Sequence, residues 1–96
     1  MAVLTPEELR SALMELPGWA VENGRLVRHY VEKSFAHALL FVNAIGQLAE
    51  AADHHPDLQV EKYKHVTVRL VTHSANGLTN RDVALAAQIE ALPHKA

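Results

Sequence analysis

The sequence predicts an α+β fold: a four-stranded antiparallel sheet with three helices on one face, in the order α-β-β-α-β-β-α. Three observations predict it. Apolar residues recur at helical spacing in three segments and alternate in segments between them. Asn23-Gly24 sits between two short β-prone runs, and Asn-Gly in that setting is the strongest short-range hairpin signal. Pro17, Pro56 and Pro93 each follow a helical segment and stop it.

The first helix carries its own start signal. Thr5 is the N-cap, Pro6 occupies N1 and Glu8 occupies N3, a capping box. Leu4 and Leu9 form a hydrophobic staple around it, and Leu9, Leu13 and Leu16 supply an apolar stripe before Pro17-Gly18. Residues 19–22 and 25–31 are the strands of the first hairpin. Asn-Gly between them suits a type I′ turn, which needs positive φ at both central positions.

Ser34 caps a long helix running to about Asp53. One stripe is Phe35, Leu39, Val42, Ile45 and Ala49; a second is Phe41, Ala44, Leu48 and Ala51. A helix on one sheet needs a single stripe. The second predicts a face against another protein chain. Pro56 disfavours helical backbone at His55, so the helix is expected to end between His54 and His55. Leu58, Val60 and Lys62 form a first, weakly alternating strand, and Val66 to His73 a clearer one, with the turn near Lys64. After the loop Ser74–Gly77, Thr79 caps the last helix. Asp82 stands at N3, Leu78 and Val83 make a staple, and Leu85, Ile89 and Leu92 supply the stripe. One face of such a sheet is left to stay wet or to hold a ligand.

The 96 residues are expected to form one domain. Composition is globular, with 49% hydrophobic and 21% charged residues. The net charge of −2 includes no basic stripe, so direct nucleic-acid binding is not expected. The chain has no cysteine, which excludes disulfides, thiolate metal sites and cysteine nucleophiles. No signal peptide and no apolar run near the roughly 20 residues of a membrane span are evident. A cytoplasmic protein without membrane association is the expectation.

Seven histidines in the chain direct attention to proton chemistry. His29, His37, His65 and His94 read as ordinary surface or half-buried residues. His54, His55 and His73 stand at element ends, where a rigid scaffold can converge side chains on a site. Glu50 precedes His54 by four residues, so its carboxylate is expected to orient that imidazole on one helical face. A plain alternative is that His54 only interacts with the helix C-terminus. A metal site is not expected, because adjacent ligands such as His54-His55 diverge and no HExxH spacing occurs. Asp82 is explained as the N3 acid of its cap. No GxSxG, Gly-rich phosphate loop or GxGxxG appears.

In order, the residues read Glu50-x3-His54-His55-Pro56, Tyr63, Thr72-His73 and Gly77-Leu78-Thr79-x2-Asp82. This pattern resembles the pterin-4a-carbinolamine dehydratase family, also called the dimerization cofactor family. Gly18-Trp19, Ser34-Phe35, Ala86 and Ile89 extend the resemblance over nearly the whole chain. It implies dehydration of 4a-hydroxytetrahydropterin to quinonoid dihydropterin, with the pterin as substrate and no metal or further cofactor. By the family pattern His54 and His73 would be the acid–base histidines. His55 would bind and polarise the pterin and share the proton work. Asp53, Pro56, Val71, Thr72 and Ser74 would contact the substrate, and Glu50 and Asp82 would support the histidines from behind. Some relatives carry an aromatic residue soon after His-His-Pro; here Asp57-Leu58-Gln59 follow, which leaves Tyr63 to cover the pterin. The resemblance also implies a homodimer or homotetramer. Phe41, Ala44, Leu48 and Ala51 are the expected interface, or, in a non-catalytic alternative, the surface of a protein-binding module.

Overall fold

The computed structural model describes residues 2–93; His94 lies outside them. The order is α1 (Pro6–Met14), β1 (Trp19–Glu22), β2 (Arg25–Val31), α2 (Phe35–Ala52), β3 (Asp57–Glu61), β4 (His65–Leu70), a 3-10 turn (His73–Ala75) and α3 (Asn80–Glu90). The four strands form one antiparallel sheet in the order β1-β2-β4-β3. This is the α+β architecture with three helices and a four-stranded antiparallel sheet that the sequence predicts.

Local signals set most of the boundaries. Thr5 Oγ1 accepts from the Glu8 amide at 3.1 Å, and the Thr5 amide donates to Glu8 Oε1 at 2.8 Å, the reciprocal bonds of a capping box. Asn23 and Gly24 have φ of 51° and 77°, both positive as a type I′ turn requires. The second hairpin turns at Lys62 and Tyr63, with φ of 47° and 55°. That is earlier than the expected turn near Lys64, so β3 stops at Glu61. β4 ends at Leu70 rather than His73, because Thr72 pairs back with Gly77 and bends the chain into the 3-10 turn.

Alternation along the sheet sorts its two faces. Leu26, Tyr30, Val66, Val68 and Leu70 are buried beneath the helices. They join Leu16, Ala38, Phe41, Ile45, Ala49, Leu85 and Ile89 in one core, with Leu9 and Leu13 of α1 packed against it. Leu16 lies beyond the end of α1 yet is buried, so the stripe outlasts the helix.

The core-facing stripe of α2 differs from both expected ones. Ala38, Phe41, Ile45 and Ala49 are buried, while Phe35, Leu39 and Leu40 are exposed. Phe41 is therefore not an outward residue: its ring packs edge-on against Tyr30 with centroids 4.8 Å apart. Leu48 also packs against the core, Ala44 is half-buried, and only Ala51 of the four expected interface residues is fully on the surface. The reason is periodic. Two stripes one residue apart drift around the helix, and one intermediate stripe meets the sheet. α2 is also the one described helix whose length and mean hydropathy (18 residues, 1.2) meet the usual limits for a membrane span, contrary to the sequence expectation. Its buried face is committed to this core.

A polar cluster joins the end of α3 to the sheet. Glu90 Oε1 accepts from Trp19 Nε1 (2.8 Å), Tyr30 Oη (2.6 Å) and Arg28 Nε (3.2 Å). Burial opposes ionisation of Glu90, but the bonds from Tyr30, Arg28 and Trp19 outweigh it and hold the carboxyl below its ordinary range. Burial, then the bond to Glu90, pushes the Tyr30 hydroxyl well above its ordinary range. Gly18 sits at φ 90° with the Arg28 guanidinium where a Cβ would be, 2.6 Å away.

Candidate active site

The expected site residues fall at one end of the sheet. Asp57 opens β3 and pairs across from Arg69 near the end of β4. The segments Asp53–Pro56 and Val71–Ser74 therefore lead into and out of adjacent strands at the same edge of the molecule.

The helix ends at Ala52, two residues earlier than Pro56 requires. Asp53 adopts the left-handed conformation (φ 50°, ψ 43°), its amide donating to Ala49 and Glu50 carbonyls. The His54 amide also donates to Ala49 O at 3.1 Å. A 6→1 bond over a left-handed residue is the Schellman closure, here with Asp in place of the usual Gly. Both histidines thus lie beyond the helix, not on either side of its end.

This moves the partner of each histidine. Glu50 does not bond His54; its Oε1 is 2.7 Å from His55 Nε2, and both side chains are largely exposed. The i,i+4 pairing holds only while both residues are helical, and Asp53 swings His54 out of that register. His54 is buried instead, with Nε2 2.6 Å from Asp82 Oδ1. A carboxylate only accepts, so this contact places a proton on Nε2 and leaves Nδ1 as the nitrogen able to exchange one.

Asp82 is itself 0% exposed, so protein donors must replace its water. Its Oδ2 accepts from the Thr79 amide at 2.9 Å, the cap expected from sequence, and from Thr72 Oγ1 at 2.8 Å. Thr72 Oγ1 also lies 2.8 Å from Thr79 Oγ1. With its hydrogen given to Asp82, Thr72 accepts from Thr79. One carboxylate thus caps α3, holds the His54 ring and fixes Thr72, the residue preceding His73. Capping is a sufficient explanation of Oδ2, but not of Oδ1.

His73 is exposed and opens the 3-10 turn. The loop behind it is closed by Thr72 N to Gly77 O at 3.0 Å and Gly77 N to Thr72 O at 3.3 Å. Val71 and Pro56 are half-buried, and Ser74 and Asp53 are exposed. A cavity of about 180 Å³ opens beside His54, walled by Ala52, Arg81, Ala84, Leu85 and Gln88. Arg81 was not marked by any sequence signal, since an Arg in a first helical turn reads as surface. It donates to the Asp53 carbonyl and so holds the left-handed turn from outside. Tyr63 is exposed at the tip of the β3–β4 hairpin, at the opposite end of these strands from His55 and His73. It cannot cover a ligand bound at the histidines of its own chain. Among the described residues, no cluster of three or more His, Cys, Asp or Glu side chains is arranged to hold a metal ion.

Comparison with known proteins identifies the family of the chain. The family model for pterin 4 alpha carbinolamine dehydratase matches residues 2–92. A candidate pterin-4-alpha-carbinolamine dehydratase of Thermomicrobium roseum is 46% identical over 92 residues, covering 96% of this chain and 98% of the relative. Another, of Acidobacterium capsulatum, is 45% identical over 92 residues, covering 96% and 99%. The crystal structure of a transcriptional coactivator/pterin dehydratase from Brucella melitensis superposes with a TM-score of 0.87 at 37% identity, covering 94% of this chain and 97% of that one. A pterin dehydratase-like RuBisCO assembly factor of the α-carboxysome shares the fold alone, with a TM-score of 0.62 at 22% identity over 76% of this chain and 83% of that one. With the family model spanning nearly every described residue, the chain belongs to the pterin 4 alpha carbinolamine dehydratase family.

Proposed function

We propose that this protein dehydrates 4a-hydroxytetrahydropterin to quinonoid dihydropterin, so returning an oxidised pterin to its cycle. The observation that carries the reading is the shared Asp82 carboxylate, 2.6 Å from His54 and 2.8 Å from Thr72 beside His73. The reaction must protonate the 4a-hydroxyl so that it leaves as water, and remove the N5 proton so that a C4a=N5 double bond forms. Two imidazoles suit those two transfers, one as acid and one as base. His54, held by Asp82 with Nδ1 available, and His73, exposed on a closed loop, are the pair. His55 lies on the same segment and binds the pterin with Asp53, Pro56, Val71, Thr72 and Ser74. The pterin is the substrate, and the chemistry calls for no metal or added cofactor. The protein works as a homo-oligomer in the cytoplasm.

The test is stopped-flow absorbance of 4a-hydroxytetrahydropterin decay with wild type, His54→Ala and His73→Ala. Acceleration by wild type that both folded variants lose supports the proposal. Decay at the buffer rate with wild type overturns it.

A second reading rests on a different observation. Phe35 (52% exposed), Leu39 (47%) and Leu40 (65%) leave apolar surface exposed along the first half of α2. Apolar surface of this kind favours protein binding. If binding were the task, the histidines would be dispensable and Leu40→Glu would abolish function.

A further inference from the structure

The open face of the sheet holds a feature that the dehydration chemistry does not use. Along β2, Arg25, Val27 and His29 point to this face, and along β4 so do Thr67 and Arg69. Cross-strand pairing sets Val27 opposite Arg69, so Arg25 and Arg69 stand one diagonal step apart. Between them opens a cavity of about 310 Å³ lined by Glu22, Asn23, Arg25 and Arg69.

Neither guanidinium is exhausted by its protein contact. Arg25 Nη1 is 3.3 Å from Asp57 Oδ2, and Arg69 Nη1 donates to Gln59 Oε1 at 3.0 Å. Each guanidinium carries five N–H donors in a planar fork suited to carboxylate and phosphate. Glu22 is the one acid in the lining, and its Oε2 lies 3.3 Å from His29 Nε2.

The cavity lies at the site's end of the sheet. Arg69 precedes His73 by four residues, which caps their Cα separation at about 14 Å. Its cross-strand partner Asp57 follows His55 by two residues, about 7 Å of strand. Asp57 and Arg69 are cross-strand partners on the open face, and the chain runs from Asp57 back to His55 and from Arg69 on to His73 within a few residues. Pterin chemistry supplies the direction. N5 is bonded to C6, so a 6-substituent leaves the ring from the same edge that loses its proton.

We propose that Arg25 and Arg69 form an anion subsite, and that the preferred substrate is a tetrahydropterin whose 6-side chain ends in a carboxylate or phosphate. This rests on the dehydratase reading and adds the substrate class. The ring's reacting edge meets the histidines while the anionic tail lies across the end of the open face between the two guanidiniums.

The test compares 6-hydroxymethylpterin with its phosphate monoester, which differ only at the tail, by quenching of pterin fluorescence on the full chain. Expected is a phosphate ester bound at least tenfold more tightly at low salt, an advantage that shrinks as salt screens it. The advantage is lost in Arg25→Gln/Arg69→Gln and lessened in Arg69→Lys, which keeps the charge and the fold but not the fork. Equal affinities in wild type, or a preference untouched in the double variant, would overturn the subsite. Catalysed decay of neutral 4a-hydroxytetrahydrobiopterin is measured on the same preparation. Turnover without tail preference overturns the subsite alone; neither turnover nor binding overturns both proposals.

Discussion

Asp82 and His54 are 28 positions apart in the chain and 2.6 Å apart in space, and the contact is almost wholly closed to water. The first turn of α3 thereby sets the orientation of a ring that belongs to the end of α2. Through its other oxygen the same carboxylate fixes Thr72 and so the start of the His73 loop.

Replacing Asp82 should separate orientation from binding. Asp82→Asn keeps one acceptor oxygen for the Thr72 and Thr79 donors and turns an NH2 donor toward His54 Nε2, which reverses the tautomer, so the rate constant should fall on the order of 10²-fold with a smaller change in KM. Stability should fall by about 2–4 kcal/mol, since a buried group with three donors loses its match. Single-turnover kinetics and urea unfolding read the two effects. An unchanged rate constant in a folded variant would show that the contact serves only the cap.

Glu50 should matter far less, despite its spacing. The Glu50–His55 pair is exposed on both sides, and such pairs contribute about 0–1 kcal/mol. Glu50→Gln should shift the urea midpoint hardly at all and reduce kcat/KM by about fivefold or less. A loss as large as that of His54→Ala would show that Glu50 does more than hold the exposed His55.

Acid and alkali should each attack the Glu90 cluster. The carboxyl of Glu90 titrates lower in the folded state than its ordinary value. Its contribution is therefore full above the unfolded value of about 4.3 and is lost as pH falls below it toward the folded value. Tyr30 is shifted upward, so its contribution is full below about pH 10 and is lost as pH rises beyond that. Melting temperature followed against pH should show both limbs in wild type. Glu90→Gln should flatten the acid limb and lower stability at neutrality.

Leu40→Glu should leave the fold intact, because that side chain is 65% exposed. It should weaken self-association, read by sedimentation velocity. Leu48→Glu is expected to unfold the chain instead, since Leu48 packs on the core. A folded, fully associated Leu40→Glu protein would exclude the outer face of α2 as the interface.

The sequence-legible parts are those whose physics is local. Thr5, Thr79 and Asn23-Gly24 announce caps and a turn through bonds spanning a few residues, and each forms as expected. The family pattern points to the histidine segments, which the fold brings to one end of the sheet. The partner of His54 was not legible, because it depends on Asp53 adopting a left-handed conformation that Asp tolerates but does not advertise. Once that turn forms, a short-range pair is exchanged for one made across the fold. The inward face of α2 was hidden for a related reason. Apolar residues surround much of that helix, and only the sheet decides which of them it covers.

Asp82 serves two masters, and that affects how descendants of this fold can be read. A lineage that abandoned the reaction would still need Asp82, Thr72 and Thr79 to start α3 and close the loop, so their survival would record only architecture. His73 is exposed and opens a turn that backbone bonds already close. Among the described residues, no hydrogen bond or ion pair calls for an imidazole there. If the proposed dehydration is the task, position 73 rather than position 82 would be the witness to turnover among relatives.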